Sequence, residues 1–230
     1  MTVSTDSPTA TDPHVRQVRA TGIIGVVWVP LLFASVLTLS SNNEPPLEAT
    51  GSQAAAYLAA SEAGWVQLAY AASTLGMIAS LWFFVAIGFV LARAEGVAPW
   101  RSAVAALSGS LLGAYGLVNT SQQAGALHGT QITERTADYA YHVGTIGFAN
   151  AWISIASFAL CAGWVVLGSG YLPRWTGWWL VVVGVGLVVS RFVWTTQLWL
   201  LPYLLFWAWV LMASVSMMRR PERWIRPTAP

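Results

Sequence analysis

Long apolar runs separated by short polar ones set the rhythm of this chain. The runs cover about 23–40, 66–91, 100–119, 141–167, 175–193 and 198–217. Each is near the roughly 20 residues a helix needs to cross about 30 Å of hydrocarbon. The pattern predicts an all-α fold, a polytopic transmembrane helix bundle of six spans. The third run is the least hydrophobic. The first is longer than the apolar core of a usual signal peptide, and Leu39-Ser40-Ser41 gives no small-x-small cleavage site with alanine. It therefore reads as an uncleaved first helix. Residues 1–15 are small and polar and read as a disordered tail. The membrane domain then occupies 16–218 and a basic tail 219–230. In the loop 41–64, Pro45-Pro46 forbids continuous helix, and 52–63 reads as a short surface helix. The turn between spans five and six has only Arg191, Thr195, Thr196 and Gln197 to mark it.

Composition agrees with that class. Hydrophobic residues make up 56% of the 230-residue chain and charged residues 9%, against roughly 25% charged in soluble domains. All eleven basic residues are arginine. With six spans, Arg16, Arg19, Arg93, Arg101, Arg174, Arg219, Arg220, Arg223 and Arg226 fall on one side and only Arg135 and Arg191 on the other. By the positive-inside rule both termini are then cytoplasmic and the loops 41–64 and 121–138 external. The expected location is a bacterial plasma membrane. No basic stretch interleaves with aromatics in a soluble segment, so nucleic acid is not an expected partner. Cys161 is alone in the chain and can close no disulfide within it.

Two segments echo each other: GVAPWRS (96–102) and GYLPRWT (170–176) each open an inside-to-outside span. Each span ends in a polar group, Asn119-Thr120-Ser121-Gln122 and Thr195-Thr196-Gln197. A duplicated hairpin and the ordinary recurrence of Pro, Trp and Arg at membrane interfaces explain this equally well.

Helical spacing assigns faces. In span three, Gly109, Gly113, Gly116 and Thr120, continued by Ser102 and Ala105, form a small-residue packing stripe. In span four, Gly147, Asn150, Ser154, Ser157 and Cys161 share an arc of about 80°. Phe148, Trp152 and Ile155 lie opposite and are expected to meet lipid. In span two, Gln67, Tyr70 and Thr74 share a face. In span five, Gly177, Gly184, Arg191 and Thr195 do. Arg191 stands about 24 Å along the axis from Trp175, in the outer third of the bilayer and facing the bundle. An arginine at that depth needs a partner. Glu62, Glu134, Asp138 and helix-end carbonyls are the candidates by depth.

Arg191, Asn150, Gln67, Thr74, Asn119 and Thr195, with Gln122 and His142 near them, suggest a polar pocket opening outward between spans two to five. A polar lining within an apolar wall is the usual make-up of a small-ligand site. A structural salt bridge at Arg191 and plain interhelical hydrogen bonds at Asn150 are the simpler readings. No His-x-x-x-His or His-Glu-x-x-His spacing and no phosphate-loop, nucleophile-elbow or dinucleotide motif occurs. Neither a metal nor a cofactor is expected. His142 lies four residues after Asp138 and can pair with it. Of the fourteen tryptophans, Trp28, Trp65, Trp100, Trp164, Trp175 and Trp194 fit an interfacial belt. Trp82, Trp152, Trp199, Trp207 and Trp209 lie deeper, facing lipid or core. An aromatic-lined cavity that stabilises a carbocation is a minor reading.

The segment YLPRWTGW (171–178) at the start of span five resembles a motif of a bacterial family of six-helix integral membrane proteins, a domain of unknown function. The short arginine-bearing N-terminus, the external segment GSQAAAY (51–57) and the basic C-terminus are similar too. The resemblance covers about 16–220. It implies topology and carries no activity.

Three functions follow as expectations. The first is a non-enzymatic membrane protein that binds a lipophilic or head-group ligand, or a membrane partner, near Arg191. The second is a small membrane enzyme on a lipid or isoprenoid, terpene-cyclase-like, with Glu62, Asp138 and His142 as acids. Against it, no carboxylate falls clearly inside a span. The third is a transporter or a subunit of one, which six spans would serve better as a homo-oligomer. The lipid bilayer is the partner common to all three.

Overall fold

The computed structural model describes residues 12–40, 44–46, 49–60, 64–128 and 133–225, with the backbone alone for 39–40 and 119–128. Seven α-helices account for nearly all of it: α1 Pro13–Ser40, α2 Gly51–Ala60, α3 Gly64–Glu95, α4 Trp100–His128, α5 Glu134–Ser169, α6 Arg174–Phe192 and α7 Leu200–Arg219. No strand occurs among the described residues. In hydrocarbon a backbone must satisfy its own hydrogen bonds, and a helix does so within one segment. Five helices, α1, α3, α5, α6 and the stretch Gln197–Arg219 that contains α7, are long and apolar enough to cross a membrane. This is a multi-pass membrane protein. The helix at the least hydrophobic run, α4, has 29 residues but is not among the five.

The helix ends follow local chemistry. At α1, Asp12 accepts from His14 N at 2.8 Å and Pro13 opens the helix, so the helix starts inside the stretch expected as tail. Residues 1–11 lie outside the described residues. At α5, Thr133 caps the N-terminus through Thr136 N, and Gly170 ends the helix at φ 68°, a conformation glycine adopts without strain. The echoing segments do start two helices alike, with Trp100 after Pro99 and Arg174 after Pro173. Only the first has an acidic latch. Glu95, its side chain 1% exposed, accepts from Arg101 Nε (2.7 Å), Arg101 N (3.1 Å), Ser102 N (2.8 Å) and Ser102 Oγ (2.6 Å). Arg101 then lies over the Trp164 ring at 5.1 Å.

The six long helices close a ring in the order α1, α3, α4, α5, α6, α7, and α7 returns to α1. The short helix α2 lies on α5 at one end of the bundle. Helix α5 also touches α3 and α7 across the ring, and so is central. That placement corrects one expectation. Trp152 and Ile155 are each 1% exposed, because their face of α5 turns into the bundle, where Trp152 stacks on Trp199 at 5.1 Å, while Ile146, Ile153 and Trp164 hold the exposed face. Trp28 is also corrected. It is 1% exposed and packs at 4.9 Å against Trp207 in the core, whereas Trp65, Trp100, Trp164 and Trp175 are about half exposed, as a belt requires. The small-residue stripe on α4 packs as expected: Cβ atoms added at Gly113 and Gly116 would meet Leu81 and Met77 of α3.

Candidate functional site

Two places in the bundle gather functional groups, on different faces of α5. The first lies between α5 and α6. Small residues bring these helices together: a Cβ on Gly163 would lie 2.9 Å from the Gly177 carbonyl oxygen, and one on Gly184 3.1 Å from that of Ala156. Along the same seam, Arg191 donates to Asn150 Oδ1 through Nε at 3.2 Å and Nη2 at 3.0 Å. Both residues are half-buried. The arginine therefore does point into the bundle, and it bonds to a neutral amide one helix away, not to Glu134 or Asp138. Glu62 lies outside the described residues. A carboxamide oxygen accepting two guanidinium N–H groups lowers the cost of the charge without adding a second one.

The second place is a cavity of about 500 Å³ on the other side of α5, bounded by α1, α2, α3, α4, α5 and α7. Its floor is aromatic. Trp28 and Trp207 pack edge to face, and both rest on phenylalanines: Trp28 on Phe83 at 6.0 Å and Trp207 on Phe206 at 4.9 Å. One wall is a rung of Trp199, Tyr203 and Trp207, spaced four apart so that all three face the same way. Phe148 of α5 meets Trp199 at 5.4 Å and Tyr203 at 5.8 Å. The opposite wall is lined by Tyr70, Ser73, Gly76, Met77 and Ser80, which spans about 15 Å of helix at 1.5 Å per residue. No neighbouring atom lies within 4 Å of the Cβ position at Gly76 or at Gly147, both on the lining.

The mouth is closed by polar chemistry. Tyr141 Oη donates to the Pro45 carbonyl at 2.6 Å and lies 3.3 Å from that of Pro46, holding the loop 44–46 over the opening. Tyr57 of α2 packs on the Tyr141 ring at 6.1 Å. Ala49, Ala54, Leu58, Ala137 and Ala140 form a small apolar core beneath these rings. Burial, with nearby Tyr70 and the Glu44 carboxylate, pushes the Tyr57 hydroxyl well above its ordinary range, so it stays neutral. Glu44 is the one charged residue on the described lining.

The expected pocket residues are therefore divided. Asn150 and Arg191 come together, but neither lines the cavity. Thr74 turns back onto the Tyr70 carbonyl at 3.0 Å, Gln67 is exposed, and Thr195 is exposed in the turn after α6. The side chains of Asn119 and Gln122 lie outside the described residues. His142 and Asp138 do pair, Nδ1 to Oδ1 at 3.3 Å, on the surface and away from the cavity lining. Among the described residues no three His, Cys, Asp or Glu side chains gather. Glu44, Tyr57, Tyr141, Tyr115 and Tyr203 were missed. A signal was present for two of them in the four-residue aromatic spacing of 199, 203 and 207 and in an acid directly before Pro45-Pro46.

Neither the family models, nor the curated proteins, nor the solved structures include a match to this chain. The resemblance drawn from YLPRWTGW and GSQAAAY thus rests on those motifs alone.

Proposed function

We propose that this protein binds a lipophilic small molecule in the aromatic cavity, from the external face of a bacterial plasma membrane. The observation that carries this reading is the cavity itself. Protein interiors leave few voids larger than a water molecule, whereas about 500 Å³ walled by nine aromatic side chains is within the range of small-ligand sites. The sidedness follows from charge. Helix directions alternate, so Arg16, Arg19, Arg93, Arg101, Arg174, Arg219, Arg220 and Arg223 gather at one end, as the bond from Arg93 Nη2 to Gln17 Oε1 illustrates. The cavity mouth is at the other end. We take α4 as a sixth span, which places both termini in the cytoplasm. Alkaline phosphatase fused after residue 225 should be inactive, and active when inserted between residues 128 and 133.

Native mass spectrometry of the purified chain tests the binding reading. The wild type should retain an apolar small molecule that Gly76→Phe, which fills the cavity from an open position, does not. Identical bound species in both proteins would count against it. Two other readings keep a specific support. Nine aromatic lining residues suit an enzyme that cyclises an isoprenoid by protonation, and Glu44 is the one carboxylate on the described lining to supply the proton. Expression with isoprenoid precursors and no new product would end that reading. The Arg191–Asn150 pair suits an anionic head group. What favours the cavity over it is its volume of about 500 Å³.

A further inference from the structure

The cavity carries a second message in the sign of its lining. Glu44 is its one charged residue among the described positions, and no arginine or histidine lines it. Arg191, which helical spacing assigns to the pocket, is turned to Asn150 on another face of α5. The aromatic rings present electron-rich faces. At the mouth, the Pro45 and Pro46 carbonyl oxygens and the hydroxyls of Tyr57 and Tyr141 surround the same opening as the Glu44 carboxylate. Among the described residues the one formal charge there is negative.

We propose that the ligand is an organic cation with an apolar body: an ammonium group held at the mouth between Glu44 and the Tyr57 and Tyr141 rings, with the hydrocarbon part extending toward Trp28 and Trp207. Aromatic faces attract quaternary ammonium groups, and more strongly when water is excluded. A carboxylate at the rim supplies the long-range attraction and the orientation. An anionic amphiphile meets repulsion from Glu44 and no counter-charge among the described residues. This assignment rests on the cavity being a ligand site.

The test uses two probes of one shape, benzyltrimethylammonium and its uncharged isostere neopentylbenzene. Each is titrated against the full chain in neutral maltoside micelles and read by tryptophan fluorescence, since Trp28, Trp199 and Trp207 are on the walls. The wild type should bind the ammonium on the order of ten-fold more tightly than the isostere. Glu44→Gln should reduce that preference several-fold and leave the isostere unchanged. Gly76→Phe should abolish saturable binding of both, and Gly147→Leu repeats this from a second open position if the first variant folds poorly. Equal binding of the two probes, or a preference untouched by Glu44→Gln, overturns the cationic assignment and leaves the cavity reading standing. No saturable binding of either probe, or binding that survives both cavity-filling variants, overturns both.

Discussion

Helix α5 carries glycine on two faces, and the two faces do opposite things. Toward α6, Gly163 meets the Gly177 backbone so closely that an added Cβ would sit 2.9 Å from its carbonyl oxygen. Toward the cavity, Gly147 has no neighbouring atom within 4 Å of the same position. The first glycine lets two backbones approach, which is the usual use of small residues in membrane helices. The second leaves room that no neighbouring side chain takes. A glycine in a membrane helix thus reports on packing only once the group across from it is known.

The largest effect should come from breaking the seam. Gly163→Leu forces α5 and α6 apart and should cost about 3 kcal/mol, the upper part of the overpacking range, read as a fall in thermal midpoint in micelles. Gly147→Leu should be neutral or gain up to about 1 kcal/mol, because leucine is the better helix former. Equal losses in both would dissolve the contrast. Next in size is the polar pair in the seam. Asn150→Leu takes the Oδ1 acceptor from the Arg191 guanidinium and should cost on the order of 2 kcal/mol. Arg191→Leu removes the charge as well and should cost less than ~1 kcal/mol. Neither should alter benzyltrimethylammonium binding. Lost binding in Arg191→Leu would move the site back to the seam.

On the cavity side, Tyr141→Phe removes the hydroxyl that holds Pro45 and should cost about 1 kcal/mol, with faster amide exchange at 49–58 as the more direct readout. The smallest effect is one of pH. Tyr57 is an acid whose folded-state value is raised, so the folded protein holds its proton more tightly than the unfolded chain. Its contribution to stability is whole below the ordinary tyrosine value of about 10 and is lost as pH climbs toward the folded value. Stability should therefore fall above about pH 10, and less so in Tyr57→Phe. An identical decline in both proteins would show that this hydroxyl is not desolvated.

Sequence reading located the long helices closely and left parts of the site out of reach. The turn near 193–197 and the short helix that carries Tyr57 were visible in Arg191-to-Gln197 polarity and in the residues after Pro45-Pro46. The inward turn of Arg191 followed from its spacing with Gly177 and Gly184. Trp152 was misread because periodicity ranks faces by polarity, and an apolar face looks alike whether it meets lipid or another helix. Asn150 was grouped with a pocket because it shares an arc with Gly147. In the folded chain that arc is divided between the seam and the cavity.

By itself, then, the sequence determined an all-helical membrane architecture, because hydropathy, helix length and arginine placement are properties of each segment alone. It also determined that Arg191 needs a partner, because a charge in lipid is costly wherever it sits. Only the tertiary structure decided that the partner is Asn150, that α5 is central, and that Glu44 and rings from six helices and the 3-10 turn at Trp199 enclose one cavity. Those facts depend on which helix lies across from which, and in hydrocarbon that choice is made by shape and close packing, which leave little trace in the pattern of any one helix.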